Sequence, residues 1–108
     1  MRFARVVGTT VSTVKDPALV GTKLLLCVQI DTDAADTGER AFVAVDNVGA
    51  GVGEVVLIAE GSAARIPARL TDAPTDATVV GIVDSIQREG ATTYRKGTVG
   101  SDPVGAGR

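Results

Sequence analysis

Four carboxylates, Asp46, Glu54, Glu60 and Asp84, fall at the ends of apolar runs, positions from which paired acids could do glycosidase-type acid and base work. Their spacing along the chain says nothing about mutual distance. The sequence contains no histidine, so Ser-His-Asp and Cys-His nucleophilic mechanisms are excluded. Cys27, the single cysteine, lies between Leu26 and Val28 with no resolving thiol or additional soft ligand. It reads as a small apolar strand residue rather than a redox or metal centre. Solvated or hydrogen-bonded loop carboxylates account better for the four acids. The sequence thus implies no catalytic residue, no metal and no cofactor.

The densest local signal is a backbone one. Asp46-Asn47-Val48-Gly49-Ala50-Gly51-Val52-Gly53-Glu54 sets three glycines between two apolar runs, Ala41 to Val45 and Val55 to Ala59. Glycine tolerates positive φ and close backbone approach, so the stretch implies a shaped loop, with Gly51 expected at positive φ. A phosphate cradle is the rival reading. Its spacing is wrong: Gly-x-Gly-x-Gly has neither the third-glycine offset of a dinucleotide fingerprint nor the Lys-Ser/Thr of a P-loop. The following Val55-Val56-Leu57-Ile58 reads as a strand instead of the helix such a cradle needs.

The elements that position this loop are read as strands. Arg5 to Val14 reads as one long strand bent at Gly8 and stopped by Pro17. Lys23 to Ile30 places Leu24, Leu26, Val28 and Ile30 on one face and the partly polar set Leu25, Cys27 and Gln29 on the other, which is expected to meet a loop or another subunit. Asp31 to Arg40 is a polar loop. Beyond Ala59, Ser62 is positioned to N-cap a helix that Pro67 limits to a turn or two. Leu70 to Thr78 is an irregular crossing with room for another helical turn, and Val79 to Ile86, with a bend at Gly81, is the last barrel strand. Arg88-Glu89-Gly90 reads as a turn, Thr92 to Arg95 as a short extra strand, and Gly97 to Arg108 as a mobile tail.

Only three aromatics, Phe3, Phe42 and Tyr94, occur among 108 residues, so Val, Ala, Leu and Ile must fill the core, which suits a narrow barrel. Formal net charge is −2, without the basic field of a nucleic-acid binder. No apolar run approaches a membrane span, and residues 1 to 15 lack the pattern of a signal peptide, so no membrane contact is expected and a cytosolic protein fits. The pattern predicts an all-β fold: a five-stranded OB-like Greek-key barrel, partly open, with one short helix between the fourth and fifth strands and a flexible C-terminal tail. OB-type barrels often bind single-stranded nucleic acid through interleaved aromatic and basic residues, which makes such a module the alternative function. Phe3 with Arg2 and Arg5, and Tyr94 with Arg95 and Lys96, are the nearest approaches to that platform.

Val45 to Leu57, followed by Glu60-Gly61-Ser62-Ala63-Ala64-Arg65, resembles the bacterial microcompartment vertex family (EutN/CcmL). Met1 to Thr9 is similar to that family's opening strand, and Val80-Gly81-Ile82-Val83-Asp84 to its last barrel strand. The likeness implies a barrel domain over residues 1–87, with 88–108 as a C-terminal extension. It further implies a homopentameric shell protein at the corners of a microcompartment in the bacterial cytoplasm, beside hexameric shell proteins; the negative charge balance and the absence of an aromatic platform imply no nucleic-acid partner. Five copies converging on an axis demand small residues there. Gly49, Ala50, Gly51, Val52 and Gly53 are therefore expected at the axial pore or subunit interface.

Overall fold

The computed structural model describes residues 1–13, 15–67 and 75–97. Five strands close a barrel in the order β1-β2-β3-β5-β4, namely β1 (Arg2–Thr10), β2 (Lys23–Gln29), β3 (Phe42–Asp46), β4 (Val55–Glu60) and β5 (Ala77–Ile82). All neighbouring pairs are antiparallel except β3 with β5, a short parallel seam of Val45 opposite Thr78 and Asp46 opposite Val79. The barrel is therefore closed where the sequence suggested a partly open one. Three-residue and five-residue 3-10 turns sit at Pro17–Leu19 and Gly61–Arg65. A separate hairpin follows, β6 (Ser85–Arg88) and β7 (Ala91–Arg95), turning through Glu89 and Gly90 at φ 54° and 81°.

β1 begins earlier and ends earlier than the sequence pattern suggested. Its last partner is Leu24, opposite Thr10; Val11 lies beyond the paired segment and is almost fully exposed. The bend at Gly8 is a bulge: Val6 faces Cys27 and Gly8 faces Leu26, leaving Val7 as the extra residue. Such an insertion raises local twist and curls a strand around a narrow barrel. A second irregularity, between Leu57 and Ile58 of β4, lies opposite Gly81 and Val79 of β5.

The core is built from small aliphatic side chains. Ala4, Ala44, Ala50 and Ala77 join Val6, Leu25, Cys27, Val56, Ile58 and Val79 in one buried cluster. β2 turns the opposite face inward from the one expected: Leu25 and Cys27 are fully buried, while Leu24, Leu26 and Val28 are half-buried outside. Both faces of β2 are apolar, so hydrophobicity could not choose between them. Pairing chose: Leu25 lies opposite Ala44, and Cys27 opposite Val6 and Phe42, and these neighbours share a side of the sheet. Part of the outer face is covered, because Leu24 packs with Val45, Ala18 and Leu19 beneath the Pro17–Leu19 turn.

The turn after β4 also differs in detail. Its N-cap position is Glu60, with no side-chain cap bond, and not Ser62; the chain enters through Gly61 at φ 61°. It is fastened to β5 by the buried Thr78 hydroxyl, which donates to the Ala64 carbonyl at 2.7 Å, and by Gly61 N–H to the Asp76 carbonyl at 2.9 Å. Most of the crossing anticipated over Leu70 to Thr78, and all of the tail beyond Gly97, lie outside the described residues.

A second small core joins the hairpin to the barrel wall. Ile86 and Tyr94 pack with Phe3, Ile30, Val55 and Leu57, and the Thr93 hydroxyl donates to the Thr32 carbonyl. Which face of β2 stabilises the fold can be measured directly. Leu25→Ala should cost about 3 kcal/mol in urea unfolding and Leu24→Ala less than half of that; the reverse order would place the wrong side of β2 in the core.

Candidate assembly site

The glycine loop, residues 46–54, spans the end of the barrel at which β2 begins, and Ala50 plugs that end as part of the main core. Its shape is set by one side chain. Asp46 is buried, and its Oδ1 accepts the backbone N–H groups of Val48 (3.1 Å), Gly49 (3.1 Å) and Ala50 (3.2 Å). These are the converging donors that make an anion-binding nest, here filled by the protein's own carboxylate. The loop is therefore a poor phosphate cradle on structural grounds as well as by motif. Asn47 N–H reaches the Val79 carbonyl (3.2 Å) and Gly53 N–H the Val6 carbonyl (2.8 Å), which tie the loop to β5 and β1.

Two lysines complete the framework. Lys23 Nζ donates to the Ala50 carbonyl at 2.7 Å and lies 4.0 Å from Asp46 Oδ2. Glu54 Oε1 accepts Gly51 N–H at 2.7 Å, and its Oε2 meets Lys96 Nζ at 2.8 Å. The bond from Lys96, then that from Gly51, holds the Glu54 carboxyl below its ordinary pKa, and the same contact raises that of Lys96. For a carboxyl lowered in the fold, the contribution is complete above about pH 4.5 and is lost as pH falls through the lowered value.

The five residues expected at the interface are not equivalent. Val52, 62% exposed, together with Gly49 and Gly53 faces solvent; Gly51 is half-buried; Ala50 is fully buried in its own barrel. Ala50 thus supplies a carbonyl to the framework rather than a side chain to a neighbour. Positive φ falls on Gly49 (80°) and Gly53 (93°) and not on Gly51, whose added Cβ would meet only Glu54 Oε1 at 3.7 Å. The alternating glycines gave no means of telling which of them take the left-handed conformation. Lys23 and Lys96 escape sequence reasoning altogether, since nothing local marks a lysine at a strand start, or one far downstream beyond the last hairpin, as a partner of this loop.

The four acids are not gathered into a catalytic pair. Asp46 and Glu54 serve the loop, while Glu60, at the opposite end of the barrel, pairs with Arg2 Nε (3.1 Å, out of line for a hydrogen bond) and with the N-terminal ammonium (3.8 Å). Asp84 contributes its backbone carbonyl to Lys96 N–H at 2.7 Å. No group of three potential metal ligands is brought together among the described residues. Burial pushes the Cys27 thiol up to about 11, against a smaller lowering by Arg2, as suits a core residue. Most of the aromatic and basic residues considered for a platform are engaged internally: Arg2 stacks 4.1 Å over Phe42 and donates to Gln29, Arg5 donates to the Ala34 carbonyl, and Phe3 and Tyr94 belong to the second core, while Arg95 is exposed.

The site is thus one end of a closed five-stranded barrel, capped by a prestructured backbone loop whose acids Asp46 and Glu54 face Lys23 and Lys96. The family model for "Ethanolamine utilisation protein EutN/carboxysome" matches residues 1–84, and the chain belongs to this family. It is 49% identical over 96 residues to the carboxysome shell vertex protein CcmL of Synechocystis sp., covering 89% of this chain and 95% of that one. The solved structure of Gloeobacter violaceus CcmL superposes with a TM-score of 0.84 at 43% identity, over 89% of this chain and 98% of the other. The GrpN pentameric microcompartment shell protein from Rhodospirillum rubrum does so with a TM-score of 0.73 at 42% identity, over 82% and 98%.

Substitution by alanine separates the glycines. Gly49→Ala and Gly53→Ala should each lower stability by about 1 kcal/mol, because a Cβ is strained at positive φ, whereas Gly51→Ala should change it by less than about 0.5 kcal/mol. Thermal or urea unfolding of the three variants checks the order.

Proposed function

We propose that this chain is a structural shell protein: a homopentamer that caps the vertices of a bacterial microcompartment in the bacterial cytoplasm and catalyses no reaction. The observation that carries this reading is the near full-length match to a shell vertex protein, supported by the likeness to a pentameric shell protein. A flat sheet of hexamers cannot close without five-fold corners, so such a pentamer supplies curvature and closure beside hexameric shell proteins. A five-fold ring needs a heterologous contact, one surface of a subunit against a different surface of the next. The rigid loop is our candidate for one side of it, with Gly49, Val52 and Gly53 presented outward and Ala50 and Gly51 behind them. Residues 1–87 form the barrel unit in this reading, and 88–108 the extension.

A loop whose N–H groups are already bonded loses little freedom on docking, which favours association. Native mass spectrometry at micromolar concentration should show a pentamer, and co-expression with hexameric shell components should give closed shells where omission gives elongated or open ones. A monomer or hexamer alone, or equally closed shells without the protein and without another pentamer, would sink the assignment.

Nucleic-acid binding is not part of this reading. The net charge is −2, and the aromatics that would make a stacking platform are held in the fold. A mobility-shift titration with single-stranded oligonucleotides should show no submicromolar, salt-sensitive complex; such a complex would revive the OB-type alternative.

A further inference from the structure

The peptide unit between Ala50 and Gly51 is gripped at both ends. Its carbonyl oxygen accepts from Lys23 Nζ at 2.7 Å, and its N–H donates to Glu54 Oε1 at 2.7 Å. The Glu54 carboxylate is itself oriented by Lys96, whose Nζ lies 2.8 Å from Oε2. We infer that Lys96 is a positioning residue for the assembly loop, fixing through Glu54 the orientation of the Ala50–Gly51 peptide plane; this rests on the loop's proposed part in the ring.

The physical need for such a grip follows from the residues. Gly51 is free of positive φ and of crowding, and a peptide bond beside glycine can turn over at little steric cost. Turning it would exchange the carbonyl and the N–H and point a donor at Lys23 and an acceptor at Glu54. With both ends gripped by charged groups, that alternative juxtaposes like partial charges and is disfavoured. Lys23 grips from β2 and Glu54 from the start of β4, but the cation that steadies Glu54 comes from beyond β7. The family-matched segment ends at residue 84, so the hairpin contributes a fixing charge from outside it.

Lys96 is well placed to do this. Its own N–H is bonded to the Asp84 carbonyl at 2.7 Å, and the hairpin that carries it is seated on the barrel through Ile86 and Tyr94. The lysine is 43% exposed, so its removal should leave both cores intact.

The test uses the full chain with Lys96→Met, Lys96→Arg and Glu54→Gln, reading amide exchange at Gly51 and the concentration at which rings dissociate. Lys96→Met should speed Gly51 exchange about threefold, the range of a partly exposed ion pair. If each of five equal contacts weakens by that factor, the dissociation midpoint rises about fourfold. Lys96→Arg should restore both values, and Lys96→Met combined with Glu54→Gln should add little to Glu54→Gln alone, because the two act on one element. Unfolding midpoints should hardly move. Unchanged Gly51 exchange in Lys96→Met overturns the grip; faster exchange with an unchanged ring midpoint overturns its role in assembly. A wild-type protein that forms no pentamer refutes the ring and the assembly role together, while the exchange measurement still decides the grip.

Discussion

The buried carboxylate of Asp46 is the contact on which the rest of this structure turns. A loop of small residues crossing the end of a barrel exposes backbone donors to an apolar interior, and donors without acceptors there cost free energy comparable to a lost hydrogen bond. Asp46 answers three of them from one oxygen. That allows Ala50 to enter the core, which closes the barrel end and leaves the outer side of the loop as a surface of fixed shape. A charge buried in this way also needs a countercharge near it, and Lys23 stands at the facing position of β2, opposite Asp46 in the strand register.

The small core has a related logic. Four alanines in the main cluster, three on strands and Ala50 on the loop, suit a five-stranded barrel, which has little interior to fill. Phe3 and Tyr94 are displaced to the outside, where they seat the hairpin, while Phe42 packs against the main core and takes the Arg2 guanidinium on its face. Phe3, Phe42, Tyr94, Arg2 and Arg5, which would serve a nucleic-acid surface in another barrel, are thereby part of the scaffold of this one.

Much of this was legible in the residues, and what was not has identifiable causes. β-branched runs punctuated by glycine marked the strands, and Gly8 and Gly81 marked real irregularities of pairing. The inward face of β2 was misread because Leu24, Leu26 and Val28 are as apolar as Leu25 and Cys27, and only the register with β1 and β3 distinguishes them. β1 stops at Thr10, where its pairing with β2 ends, a tertiary fact that the apolar pattern running on to Val14 does not show. In the loop, the run of glycines announced a shaped backbone, yet positive φ fell at Gly49 and Gly53, on either side of the position expected. Lys96 could not be found from sequence at all, since it reaches Glu54 only after the hairpin has folded back over the barrel wall.

The strand order also carries a consequence for how the chain comes into being. Because β5 lies between β3 and β4, the barrel cannot close from its first four strands alone. During synthesis the meander of β1, β2 and β3 can form as it emerges, and β4 can find β1. The gap between β3 and β4 stays open until Ala77 to Ile82 has left the ribosome. Until then the backbone edges of β3 and β4 and the Ala44 and Ile58 sides of the core face water, the condition under which nascent β proteins associate wrongly. In the proposed ring, sealing by the last barrel strand would delay the meeting of copies until the subunit is whole.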